Sequence, residues 1–471
     1  DLHQGTLSEG GAKIYVSAKG NVQLLDRLDL NLDGFADLVL ASSVNPTKPS
    51  YVSDSHIYWG AKNGGFSATS RAGLPTVSAR EPAVADLNDD GYPDIVFPQF
   101  DDDTLNRAVN SIIYWGAQTG YSSTNKTTLP TIGASAAAVA DLDQDGYLDI
   151  TFSSADKGTT AADSIIYWGA KTGFSATNKF ALPTQRAYSV DIADLDRDGA
   201  LDLVFAVGGW NGSCNTNSLI FWGKGGAYAS SNTTPLPTVC VTNVAIADLN
   251  QDQLLDIVFT NGATTSPGTN HLDSYIYWGD ANRYASAKKQ GLPTVGAHGV
   301  TIADFKQDKN LDIVFANHMD GSNFVLDSYL YLGPTFTTTT RKKFATKGAM
   351  SAWSADVTGD GYPDLLIANN RDNPGNLPNS TLYIGSAAGP TPSNTISLPT
   401  TAAKAPGKDP GSVYDRRPVQ TFISRTLDTG LASPTFTTLS WSAKVPSKTT
   451  LKFKIRSAAT AAGLEKVNWQ G

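Results

Sequence analysis

The nine residues Asp141-Leu-Asp-Gln-Asp-Gly-Tyr-Leu-Asp149 place carboxylates at positions one, three, five and nine around a glycine at six. Side chains so spaced can converge on one point, with a backbone carbonyl near position seven. An all-oxygen set of flexible geometry suits Ca²⁺ before Mg²⁺, and glycine at six permits the positive φ that wraps the chain around an ion. The pattern returns six more times, beginning at Asp29, Asp86, Asp194, Asp248, Asp304 and Asp356, at intervals of 52 to 57 residues. A period of that size indicates a repeat architecture in which each repeat is one supersecondary unit.

The seven loops differ in ways that carry expectations. Asp29, Asn31, Asp33 and Asp37 form a complete ligand set, as do Asp86, Asn88, Asp90 and Asp94; Asp141, Asp143, Asp145 and Asp149; and Asp194, Asp196, Asp198 and Asp202. Asp248, Asn250, Asp252 and Asp256 keep every ligand, but Gln253 replaces the glycine and adds backbone strain. Asp356, Thr358, Asp360 and Asp364 have a neutral oxygen at position three, which weakens the site. The Asp304 loop carries Lys306 at three and Lys309 at six, so no calcium is expected there and an ammonium stands in for the ion. Five or six ions per chain follow. Seven copies around a ring do not make one active site, so the ions are read as stabilising rather than catalytic.

Between the loops four short apolar segments recur in fixed order. In the third repeat they are Ala138–Ala140 before the loop, Leu148–Phe152 after it, Ser164–Gly169, and a segment ending Leu182-Pro-Thr184. Seven units of four antiparallel strands predict an all-β, seven-bladed β-propeller. Trp59, Trp115, Trp168, Trp222 and Trp278 share one strand position, with Leu332 and Ile384 replacing them in repeats six and seven, which reads as core packing. The propeller is assigned to residues 1–400, a Pro- and Gly-rich linker to 401–420, and a partial β-sandwich or hairpin module to 421–471. Either Ala12–Ser17 or Asn394–Leu398 supplies the outer strand of the closing blade.

Loops, spacing and strand pattern together resemble the FG-GAP or VCBS-type repeats of integrin α-subunit heads and of many bacterial secreted proteins, over roughly residues 21–400. EF-hands share the opening of the loop but close it with Glu at twelve between helices, whereas here Asp closes at nine and a strand follows. The resemblance implies a calcium-stabilised propeller. The tail is similar to the first half of the β-sandwich modules of secreted proteins, whose missing half another chain could supply by strand addition.

Charged residues make up 17% of the 471, and the net charge of −8 resides largely in the loops, which argues against nucleic acid. No run of about twenty apolar residues is present to span a membrane. If the acidic loops line one rim, the variable loops emerge at the other, which becomes the ligand face. That rim collects Arg80, Glu81, Asp101, Asp102, Asp103, Arg186, Tyr188, Trp210, His298, His318, Asp320 and Arg371. Trp210 is a candidate sugar platform, and His298 with His318 a candidate acid/base pair, with surface polarity the plainer reading of each histidine. Cys214 and Cys240 fall on the same side of neighbouring repeats, and a disulfide between them points to an extracellular or cell-surface protein whose signal peptide has been removed.

The expected function is a binding scaffold for adhesion or assembly, partnered by other protein chains through 421–471, by copies of itself, or by glycans. A lectin and a polysaccharide lyase are the alternatives. Glycan binding lost in Trp210→Ala identifies the lectin, turnover of a uronic-acid polymer lost in His298→Ala the lyase, and assembly lost on deleting 421–471 the scaffold.

Overall fold

In a computed structural model, the described residues are 28–44, 50–61, 65–156, 161–208, 214–262, 270–280, 283–373, 375–407, 455–460, 463 and 467, with the backbone of 13–16 and 22–25. Seven four-stranded antiparallel sheets form the molecule. The third is typical: Ala134–Ala140, Asp149–Ser154, Ser164–Tyr167 and Lys179–Leu182 pair in sequence order from the inside outward. The second strand is wholly buried because apolar side chains cover both of its faces, while the fourth is exposed at most positions. One apolar cluster fills each contact between successive blades, and the seventh such cluster joins Trp353 and Leu366 of the last blade to Leu38 and Tyr58 of the first. The ring is therefore closed.

Of the two candidates for the outer strand of the closing blade, the second is that strand. Thr395–Leu398 is the outer strand of the seventh blade, and Lys13–Val16 pairs with Val22–Leu25 in a separate hairpin. The inner strand of the first blade is Ala403–Pro406, paired with Leu38–Ser42. This corrects both the linker assigned from residue 401 and the idea that the segment preceding Asp29 begins the first repeat. The Ala-Lys-Ala-Pro stretch looked like linker because of its proline, yet Pro406 ends the strand at a position that leaves the ladder intact. The module assigned to 421–471 lies almost wholly outside the described residues.

Three motifs acquire their reasons from the packing. The Trp position is core: Trp222 is 2% exposed, and Trp59, Trp115, Trp168 and Trp278 pack against the clusters. The Thr of each Leu-Pro-Thr pairs with a serine opening the third strand, as Thr184 Oγ1 does with Ser164 Oγ at 2.7 Å, and the same buried Ser–Thr pair occurs in all seven blades. The proline carbonyl receives the tyrosine hydroxyl of the following blade: Tyr167 donates to Pro130 at 2.5 Å, Tyr277 to Pro237 and Tyr331 to Pro293. Phe221 breaks the series, having no hydroxyl to offer.

Cys214 and Cys240 are disulfide-bonded. They flank the paired strands Asn215–Phe221 and Thr233–Val239, so the bond ties the open end of one hairpin within the fourth blade rather than two neighbouring blades. Tyr167→Phe, which leaves a buried carbonyl without its donor, is expected to lower stability by about 1 kcal/mol in chemical denaturation, and Phe221→Tyr to recover a comparable amount.

Candidate functional site

Two sites lie at opposite rims. At the first, each acidic loop is wound by its own backbone. In the first blade Asp29 accepts the N–H groups of Asp33 at 3.0 Å and Gly34 at 2.7 Å, and Asp33 accepts that of Phe35 at 2.9 Å. Position six is left-handed in every loop, with φ of 93° at Gly146 and also 74° at Gln253 and 73° at Lys309, so the two substituted loops take the same turn under strain. Position four is left-handed as well, at residues such as Leu32 and Gln144, a feature the sequence pattern did not reveal.

The ninth carboxylate has a second task. Asp149 accepts the N–H of Leu142 at 2.7 Å and that of Gly169 at 2.8 Å, joining the loop to the end of the third strand. Asp37, Asp94, Asp202, Asp256 and Asp364 make the same double contact. Gly169 follows the tryptophan because a Cβ there would lie 2.3 Å from the Leu148 carbonyl oxygen. Burial pushes these carboxyls up, to about 7 at Asp37, Asp94, Asp149 and Asp256 and about 8 at Asp202, with neighbouring loop carboxylates adding repulsion against the pull of the two donors.

The donor set fits a hard cation. Ligand oxygens of Asp141, Asp143 and Asp149 lie within 4.8 Å of one another, as do those of Asp194, Asp196 and Asp202. Asp196 Oδ1, Asp248 Oδ1 and Thr358 Oγ1 are buried oxygens without hydrogen-bond partners, as expected of atoms shaped for an ion rather than a donor. The other oxygen of Asp196 holds Arg283 at 2.8 Å. In the Asp304 loop Lys306 Nζ lies 2.5 Å from Asp308, and that bond raises the lysine pKa; burial raises the Asp312 carboxyl to about 6, with Lys306 opposing the rise. The ammonium occupies the ion's electrostatic place. These clusters could hold a metal ion at the complete loops.

At the other rim each inner strand opens on a β-bulge. In the third blade Ala134 pairs with Ser154 and Ala136 with Ser153, so Ser135 is the extra residue; Tyr188, Thr242, His298 and Met350 hold that place in the next four blades. Lys404 follows Ala403 at the corresponding shift in the first blade, and Arg80 follows Ala79 in the second. Bulges re-aim side chains at functional sites. The preceding residue is Ala or Val every time, and the bulged residue differs every time.

Around these residues a polar network spans the central opening. Glu81 of the second blade accepts from Ser189 of the fourth at 3.2 Å and Asn243 of the fifth at 3.0 Å, crossing the channel. Arg107 pairs with Asp101 at 2.9 Å and Asp156 at 3.3 Å, and Arg186 with Asp156 at 3.3 Å. His298 and His318 stand 5.6 Å apart between ring centres, with His298 Nδ1 bonded to the Met350 carbonyl. Burial drives His298 down to about 3 and His318 well below its usual range, with Lys404 adding to both effects, so each imidazole is neutral near pH 7 and offers a hydrogen bond rather than a proton.

Of the expected rim residues, Arg80, Glu81, Asp101, Arg186, Tyr188, His298, His318 and Arg371 meet here. Asp102 accepts from Thr104 and Asn106 within its own turn, Asp103 ties down the neighbouring loop at Ser50 and Tyr51, Asp320 pairs with the exposed His271, and Trp210 lies outside the described residues. Lys404, Ser189, Asn243, Arg107 and Asp156 were missed. Superposing the repeats on the Ala-x-small triplet that opens each inner strand was the available signal for Lys404, Ser189 and Asn243.

Residues 29–97, 248–315 and 304–367 match the family model described as FG-GAP-like repeat. These matched stretches, lying on blades of the seven-bladed ring, support an FG-GAP repeat propeller. It is similar to Cartilage acidic protein 1 of Xenopus tropicalis, with 28% identity over 148 residues, covering 28% of this chain and 21% of the relative. The chain thus matches about a fifth of that protein's length.

Asp149→Asn would face one of two N–H donors with an amide N–H, and should cost about 1.5–3 kcal/mol in denaturation measured with chelator present. Asp312→Asn should cost less, because Asp312 Oδ2 has no partner to lose. Equal losses would contradict the carboxylate's role as a clip.

Proposed function

We propose that this chain is an extracellular binding scaffold for adhesion or assembly, stabilised by calcium in its acidic loops and binding its partners at the opposite rim. One observation carries the reading. The hydrogen-bond frame of loop, clip and Ser–Thr pair repeats from blade to blade, while the bulged residue at the channel mouth differs in all seven. A rigid frame with variation confined to one rim is how a binding platform is built. The disulfide favours an oxidising compartment. Among the described residues no helix is long and apolar enough to cross a membrane.

Calcium is chosen over magnesium because the loops offer carboxylates, amide oxygens and backbone carbonyls in a turn that tolerates uneven geometry. Its contribution has a sign that can be worked out. Without the ion, burial raises the ninth carboxyls of Asp37 and Asp149 to about 7 and that of Asp202 to about 8, against 3.8 as the ordinary value. Their folded pKa is raised, so the stability they allow is full below about pH 4 and is lost as pH rises through 7 to 8. A bound dication takes the proton's place and reverses that loss.

In excess chelator the melting temperature should therefore fall between about pH 5 and pH 8, and saturating calcium should raise it most at the upper end. A melting curve indifferent to chelator at pH 8 would sink the calcium reading. For the binding role, the full chain should be retained on an array of extracellular matrix proteins and glycans when calcium is present. Turnover of a substrate without retention on any surface would replace the scaffold with an enzyme.

A further inference from the structure

The charges at the channel mouth do not balance. Arg80, Arg107, Arg186, Arg371 and Lys404 face three carboxylates, those of Glu81, Asp101 and Asp156, within a chain whose net charge is −8. Arg107 and Arg186 are engaged with Asp101 and Asp156. Glu81 is drawn across the channel to the fourth and fifth blades. The wall made by the sixth, seventh, first and second blades is left with His298, His318, Arg371, Lys404 and Arg80.

Among the described residues none of those three cations forms an ion pair. Arg80 lies 4.1 Å over the Phe100 ring with its Nε unpartnered, and Arg371 lies 4.8 Å over Phe324. Lys404 stands between them in blade order, within electrostatic reach of both. Asp101 also bears on Arg80 and Lys404, but it accepts its hydrogen bond from Arg107. His318 Nε2 is buried without a partner. Arg80, Lys404 and His298 are enclosed by protein yet retain partial accessibility, the condition of side chains that line a water-filled channel. Enclosed charge without a counter-charge is costly, and burial holds the Lys404 amine well below its usual range, with Arg80 adding to the effect, so an anion bound here would restore its charge.

We propose that the channel mouth is a binding site for a small dicarboxylate, gripped by Arg80, Lys404 and Arg371 with His298 and His318 as neutral hydrogen-bonding walls. Two negative charges match the two guanidinium groups left without a carboxylate, Arg80 and Arg371. Two guanidinium planes with an ammonium between them suit two planar carboxylates on a short linker better than one tetrahedral centre. The Glu81 bridge to Ser189 and Asn243 spans the far side of the opening. The inference rests on the reading of this rim as the binding face, and it names the ligand chemistry there.

The test is calorimetric titration of malonate into the full chain, loaded with calcium and desalted, at fixed ionic strength. One saturable site is expected. Lys404→Met should weaken it roughly 30-fold or more, and Arg371→Gln should weaken it with the fold unchanged by circular dichroism. Removing an unpaired enclosed ammonium should also raise the melting temperature of ligand-free Lys404→Met above that of the parent. No saturable heat in the folded chain, affinity unchanged in both variants, or sulfate competing as well as malonate would each overturn the assignment. Malonate binding without retention on any matrix surface would leave this site standing and remove the scaffold; the reverse result would remove the site alone.

Discussion

One carboxylate per blade holds the structure together. The ninth residue of each acidic loop is buried at the root of the second strand, where it receives a backbone N–H from the loop in six blades and, in all seven, the N–H of the glycine that ends the third strand. A single side chain thereby fixes the turn between strands one and two and the exit of strand three. Its burial makes the charge costly, which is why the loop gathers oxygens into a place where a cation can neutralise them. The sixth blade reaches the same end with Lys306, and the loop there folds as the others do.

Much of this was legible in the sequence because it repeats. The offset of carboxylates about a glycine, the four apolar segments and the shared tryptophan position led to seven blades and to the exceptional status of the Asp304 loop. The repeated Tyr and Leu-Pro-Thr were visible as motifs, but their partnership was not, since the hydroxyl of one blade meets a carbonyl of the blade before it, 37 to 40 residues away. Ring closure by Ala403–Pro406 was hidden for a related reason: four residues with a proline carry little strand signal, and their pairing partner begins at Leu38. The left-handed position four had no glycine to announce it except Gly359.

The channel mouth was half legible. Arg186, Tyr188, His298 and His318 could be assigned to one rim by topology, and they do meet. Lys404 could not, because its strand was taken for linker. The bulge that aims these residues is a register event, one extra residue in one strand, and it leaves no mark on composition. Constancy and variation are thereby divided between the two rims: the acidic rim repeats one solution seven times, and the mouth takes a different residue from each blade.

The account stands on the acidic loops being ion sites of unequal completeness, and counting the ions tests that most directly. Native mass spectrometry of the chain equilibrated with excess calcium should show five or six bound ions and no seventh, because Lys306 fills the remaining loop. A chain that carries no calcium, or one that takes up seven with the Asp304 loop among them, would contradict it.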